Sequence, residues 1–224
     1  MRRSRLAISL SLLLIGSQAA NAASRFEYDP TMWVLCRPNS LLDFYQPNLG
    51  KPEDRETSPT TVQAMGFDIR DQESYLLEGD VEIIRADQRI AADAMRYNPQ
   101  EESWRVEGEL HYQDASMMME AQSASGLLEK GEASLEALRY QLLRARGNGE
   151  AEKAFNNGKT SELHGVTYTT CDPDHRQWSI RANRVDINEE QGMATTRGGT
   201  LRLGNVPVLY FPIATFPIDD RRKS

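Results

Sequence analysis

The chain has 224 residues, with 26 Lys and Arg against 33 Asp and Glu, and a formal net charge of −7. That balance gives no electrostatic reason to bind nucleic acid or an anionic membrane surface. The length supports one good-sized core or two small ones, and two cysteines, Cys36 and Cys171, exclude a disulfide-dense scaffold.

Residues 1–23 read as a secretory signal peptide. Arg2, Arg3 and Arg5 make a basic start, Leu6 to Ile15 an apolar run, and Ala20-Asn21-Ala22 a small-x-small cleavage site. The apolar run is about half the roughly 20 residues a membrane span needs. Cleavage leaves 23 basic against 33 acidic residues, a net of −10. Cys36 and Cys171 then enter an oxidising compartment, where they pair with each other or with cysteines elsewhere; spacing does not choose.

Residues 24–60 form an irregular N-terminal extension that contains Cys36. Pro30, Pro38, Pro47, Pro52 and Pro59 punctuate it, and a charged tract runs from Lys51 to Pro59. Such a composition sustains neither a helix nor a central strand.

From Thr61 to about 205 the pattern is strand after strand. Tyr75-Leu76-Leu77-Glu78-Gly79-Asp80-Val81-Glu82-Ile83 is echoed 29 residues later by Trp104-Arg105-Val106-Glu107-Gly108-Glu109-Leu110-His111-Tyr112. A repeat of this period predicts one supersecondary unit stacked on the next. Gly79 and Gly108 hold equivalent places and are expected to be structural corners. A second echo links Ala92-Asp93-Ala94-Met95 with Ala182-Asn183-Arg184-Val185, and more loosely with Ala121-Gln122-Ser123-Ala124. Arg144 to Ala151 is a degenerate third copy of the glycine motif on this reading. Leu127 to Leu143 has helix-forming composition, yet Arg139 to Arg144 falls where a further rung is due, so it is read as strands.

Alternation places Val81, Ile83, Ile90, Met95, Tyr97, Trp104, Val106, Leu110 and Tyr112 on one apolar face. Met117-Met118-Met119 adds adaptable side chains. Such a face is either an ordinary packed core or, if a gap is left, a groove for an apolar ligand. Residues 206–224 begin with the most apolar stretch of the mature chain, Val206 to Ile218. Its prolines forbid a central strand, which predicts an extended or edge segment pressed on apolar surface.

No catalytic constellation is visible. His111, His164 and His175 lack metal-type partners at i+3 or i+4, and neither cysteine has a second nearby. Asp172-Pro173-Asp174-His175 reads as a turn. Glu78 and Glu107 read as the solvated side of their strands. The expectation is binding, carriage or assembly, with no enzyme activity, cofactor or metal.

These residues resemble a known family. The Gly79-Asp80-Val81-Glu82 step followed by Arg89-Ile90-Ala91-Ala92-Asp93 is similar to the OstA-type β-jellyroll of lipopolysaccharide (LPS) transport proteins. Tyr168-Thr169-Thr170-Cys171-Asp172-Pro173 with Trp178, the Val206 to Ser224 tail and the early Cys36 resemble the N-terminal part of the outer-membrane translocons, the LptD family. The resemblance implies an all-β fold: a stacked antiparallel array with a hydrophobic groove. It implies a periplasmic domain that receives LPS from the bridge protein LptA by β-strand addition and passes it to a barrel for outer-leaflet insertion. It also implies the lipoprotein LptE as a partner through the barrel. Cys36 and Cys171 would be disulfide partners of cysteines late in that barrel. The full product would sit at the periplasmic face of the outer membrane, and a barrel-less chain in the periplasm. The residues up to Ser224 include no barrel, so the chain reads as a fragment, with Thr61 to Asp68 as the docking strand and residues 206–224 as the connector. The competing expectation is a periplasmic β-solenoid scaffold that pairs edge to edge and carries nothing.

Overall fold

A computed structural model describes residues 42, 44–70, 74–143, 147–172, 176–188 and 190–218. The signal peptide, Cys36, His175 and Asp219 to Ser224 lie outside the described residues. What is described is one antiparallel sheet of twelve strands. These are β1 (Thr61–Gln63), β2 (Gly66–Arg70), β3 (Ser74–Arg85), β4 (Gln88–Asn98), β5 (Ser103–Gln113) and β6 (Met117–Leu127). They are followed by β7 (Glu132–Leu142), β8 (Asn148–Asn157), β9 (Thr160–Tyr168), β10 (Trp178–Asn188), β11 (Met193–Leu203) and β12 (Val206–Pro217).

Strands β3 to β12 lie side by side in chain order, while β1 and β2 share the free side of β3. At a strand spacing of about 4.8 Å the sheet is roughly 48 Å from edge to edge before twist. The stretch with helix-forming composition is the turn at Leu128 and strand β7, paired on both sides, Leu135 with Ala124 of β6 and with Ala154 of β8. Two paired neighbours override propensity there. The Pro-rich stretch is the edge strand β12, as its prolines require. It is not pressed on apolar surface: Val206, Val208, Leu209, Tyr210, Ile213 and Phe216 stay exposed.

The repeat has a geometric cause. Gly79 and Asp80 of β3, Gly108 of β5, Ala137 of β7, Gly165 of β9 and Gly198 of β11 all take positive φ. They form a line across the sheet at which the pairing ladders skip or shift register, and positive φ with such a bulge bends a strand there. The line includes an alanine, Ala137 at φ +50°. The third corner therefore falls in Leu135-Glu136-Ala137-Leu138, not in Arg144 to Ala151. The second echo supplies the facing half. A Cβ at Gly108 would sit 2.6 Å from the Asp93 carboxylate, and one at Gly198 2.5 Å from the Asn183 amide. Asp93 and Asn183 recur in the sequence because each covers a corner glycine of the next strand.

The core lies in the angle of this bend. Its buried residues flank the corner in pairs: Ala92 and Met95, Val106 and Leu110, Ala121 and Ala124, Leu135 and Leu138. Small residues (Ala92, Ala121, Ala151, Ala182) recur every 29 to 31 positions beside the corner. They let the two halves of the sheet approach closely.

Candidate functional site

Strand pairing sorts the apolar face into rows that run across the sheet. One row links Phe67, Leu77, Met95, Val106, Ala124 and Leu135, then continues through Ala154, Leu163, Val185, Thr196 and Ala214. On the other side of the corner, Val81, Ala92, Leu110, Ala121, Leu138 and Ala151 form a second row. Farther from the corner lie Val62, Ile83, Ile90, Tyr112, Met119 and Tyr140 at one end. Ile69, Tyr75, Tyr97 and Trp104 lie at the other.

All nine residues singled out from the sequence therefore share one face, at two depths. Val81, Met95, Val106 and Leu110 are buried in the bend and form a floor. Ile83, Ile90 and Trp104 are half-buried against that core, and Tyr97 and Tyr112 are likewise half-buried. These five form lips. The aromatic lip extends beyond the expected set: Phe67 stacks on Tyr75 at 5.6 Å and Tyr75 on Tyr97 at 6.5 Å. Trp104 then lies over Gly126, where a Cβ would come within 2.9 Å of its ring. The sequence window began the face at Val81 and so missed Phe67 and Tyr75, although Tyr75 stood opposite Trp104 in the repeat.

Polar atoms on this face are partnered. The Tyr112 hydroxyl donates to Asp114 at 3.1 Å and accepts from Gln88. Burial, with the Asp114 charge beside it, pushes its pKa up to about 12. Tyr140 donates to the Thr167 carbonyl at 2.7 Å, and burial pushes its pKa up too. Both phenols stay neutral at physiological pH and add no charge to the face.

The opposite face carries the charges beside the corners. Glu78, Asp80, Glu107 and Glu109 are exposed, and Arg96 reaches Glu107 at 2.8 Å. Strand pairing brings Glu109, His111 and Glu120 together, their ligand atoms within 4.8 Å of one another. Inspection at i+3 and i+4 missed this cluster because its spacing is i+2 and cross-strand. Glu120 also pairs with Arg139, and the His111 ring stacks on Phe44 at 4.4 Å.

Phe44 belongs to a strap. The extension from Leu42 to Thr57 crosses this outer face beside the turns. Gly50 donates its N–H to Ala86 at 3.0 Å. The Gln46 N–H donates to the Gln113 side chain at 2.8 Å, which donates back to the Gln46 carbonyl at 2.7 Å. The Leu42 N–H reaches the Gln141 side chain at 3.4 Å. Gln113, Met118, Gln141 and Asn148 are successive partners in one buried outer row, which a bridge extends to Thr169. Beside Thr169 lies Cys171, 1 % exposed, its carbonyl accepting from the Asn148 amide at 2.8 Å. Its thiol is not free. Arg55 fixes the other end of the strap with two bonds to Asp87, 2.6 and 2.7 Å, and a third to Asp114. The Arg55 guanidinium holds the Asp87 carboxyl below the usual range. A cavity of about 380 Å³ between strap and turns is lined by Tyr45, Gln46, Pro47, Asp87, Gln113 and Asp114 among others. Its mixed lining sets it apart from the apolar face.

Residues 61–193, from β1 to the first residue of β11, match the family described as LptA/(LptD N-terminal domain) LPS transport protein. The chain belongs to this LPS-transport family. It is 36 % identical over 234 residues to the LPS-assembly protein LptD of Xanthomonas oryzae pv. oryzae (strain MAFF 311018), covering 100 % of this chain and 27 % of that protein. It is 31 % identical over 212 residues to the LPS-assembly protein LptD of Xylella fastidiosa (strain Temecula1), covering 93 % of this chain and 27 % of the relative. The chain thus spans about a quarter of the length of these curated relatives. Among solved structures it is similar to LptH, the LptA-homologous periplasmic component of the LPS transport device from Pseudomonas aeruginosa. That match has 18 % identity and a TM-score of 0.38, over 47 % of this chain and 80 % of LptH. An LptD N-terminal domain is thus the part of the family to which the sequence corresponds.

Proposed function

We propose that this chain is the periplasmic LPS-carrying domain of an outer-membrane translocon. It takes LPS from an LptA-type bridge by strand addition at the β1–β2 edge and passes it towards a barrel, where LptE is a further partner. The observation that carries this reading is the continuity of the apolar face. Its rows run across the sheet, and the side chains at the edges, Val62, Phe67 and Ile69 on one side and Leu209 and Phe216 on the other, are exposed. A self-contained core closes its ends; a conduit leaves them for a neighbour to continue. Acyl chains gain about 0.8 kcal/mol per buried CH₂, so the lips need only part for chains to displace side-chain contacts along the floor. The role is carriage without catalysis, at the periplasmic face of the outer membrane. The buried Cys171, which is held in a disulfide, and Cys36 are the disulfide candidates of this reading.

A photoreactive residue placed at Tyr97 should crosslink LPS, with weaker yield at the floor position Val106 and none at the exposed outer-face position Arg105. Equal labelling at Arg105, or none at Tyr97 and Val106, overturns the carrier reading. The scaffold alternative forecasts no LPS crosslink at any of these positions. Ala133 pairs with Gly126 beside Trp104 and is half-buried against the core, so Ala133→Leu fills the lip there and should lower LPS crosslinking several-fold under the carrier reading while partner binding at the edge persists.

A further inference from the structure

The line of corners has two unlike sides. The left-handed residues lie only on alternate strands: β3, β5, β7, β9 and β11. Among the described residues, none inside β1, β2, β4, β6, β8, β10 or β12 has positive φ. These strands instead bring a residue with a side chain to the corner. Asp93 faces Gly108, Glu152 faces Gly165, and Asn183 faces Gly198. In β12 the residue is Pro212, between Phe211 and Ile213, which pair with Gly199 and Arg197 on either side of Gly198. At the other edge it is Met65, between β1 and β2. Its N–H donates to the Gly79 carbonyl at 2.8 Å, and a Cβ at Gly79 would lie 3.0 Å from its own Cβ.

Both edges of the sheet are therefore of the same kind. A strand added at either one must supply the left-handed residue, because at every described pairing across this line one of the two strands carries it, Ala137 of β7 included. We propose that the β1–β2 edge selects a strand with a left-handed residue opposite Met65, glycine before any other and a β-branched residue not at all. Its partner is then the edge strand of a separate β-protein, about ten residues long, apolar on alternate positions and with that glycine near its middle. The β12 edge of a second copy is excluded. This proposal rests on the strand-addition reading above and adds a specificity rule to it. The alternating apolar positions follow from Val62, Phe67 and Ile69, which point to the inner face and are exposed. The preference for glycine follows from the corner, since a β-branched residue rarely adopts positive φ, while Ala137 shows that a methyl group is tolerated there. Continuing the antiparallel alternation makes the added strand antiparallel to β1 and β2.

The test uses the mature chain with a photoreactive residue in place of Val62 and three synthetic peptides. The first copies β5, Ser103 to Gln113, with its Gly108 corner. The second is the same peptide with Gly108→Val, and the third copies β12, Val206 to Pro217. The β5 peptide should be captured and should protect the backbone amides of residues 61–70 from hydrogen exchange. The valine peptide should bind at least about tenfold more weakly, the β12 peptide should not be captured, and the protein alone should sediment as a monomer at about 100 µM. Equal capture of the glycine and valine peptides overturns the rule, as does capture of the β12 peptide or head-to-tail self-association. Capture of none of them shows that the edge does not take a strand and overturns the proposal outright. LPS crosslinking at Tyr97 is a separate readout, so carriage and edge specificity fail independently.

Discussion

Gly108→Val should destabilise the domain by about 2–3 kcal/mol, read as a lowered midpoint in urea with an unchanged slope. Gly108 sits at φ +91°, and a Cβ there would approach Asp93 Oδ2 to 2.6 Å and Asp93 Cβ to 3.2 Å. The carboxylate can swing aside, but the backbone cannot leave the left-handed region without straightening the bend. Straightening it would pull Val106 and Leu110 apart, and these two are buried on either side of it. Ala137→Gly is the informative counterpart. Ala137 carries the same strain at φ +50°, so glycine should raise stability there by about 0.5–1 kcal/mol, relief of strain outweighing the added chain entropy of the unfolded state. Opposite signs at two equivalent places identify the corner itself as the cause. A loss at both positions would mean that the Ala137 methyl matters more than its backbone.

Arg55→Ala should loosen the strap at neutral pH by about 2–3 kcal/mol, below the roughly 3–5 kcal/mol of a fully buried pair because Arg55 is itself partly exposed. The Arg55 side chain is 37 % exposed and the Asp87 side chain 2 %, so the substitution strands a buried carboxylate with backbone N–H donors alone, Ala115 at 3.0 Å among them. The signature is hydrogen exchange or protease cleavage confined to residues 42–57 while strands β3 to β9 stay protected. The pH dependence follows from the direction of the Asp87 shift. Its folded pKa lies below the unfolded value, so its contribution is fully present above the unfolded carboxylate range, about pH 4. It is lost as pH falls through the folded value. The wild-type strap should therefore loosen below about pH 4, and Arg55→Ala should flatten that acid transition. A strap that opens equally at all pH values would remove Asp87 from its anchoring.

Much of the fold was legible because the corner leaves marks in composition. Gly79 and Gly108 stood out as a pair, and the nine residues that alternation grouped together share one face of the sheet. The remaining corners were hidden for different reasons. Ala137 has a side chain, so nothing in its identity signals positive φ. Gly165 and Gly198 follow at offsets of 28 and 33 residues, and their flanking acids have changed. The strap was opaque for another reason. A Pro-rich, charged tract reads as a linker, and its docking depends on side chains of distant strands, Gln113, Gln141 and Asp87, that look like ordinary surface residues until pairing aligns them. The β12 edge was read correctly from its prolines. Its exposure was not, because local sequence says how apolar a strand is but not whether anything covers it.

The alternation of corner types also sets how a sheet of this kind changes in length. A single inserted strand would place two like corners side by side. A hairpin preserves the alternation, and here a hairpin is about 29 residues, the offset between Gly79 and Gly108. Each added hairpin would widen the sheet by two strand spacings, about 10 Å, and lengthen an internal path by the same step. Path length in such domains is then counted in whole hairpins, and variants of the fold should differ from one another by an even number of strands.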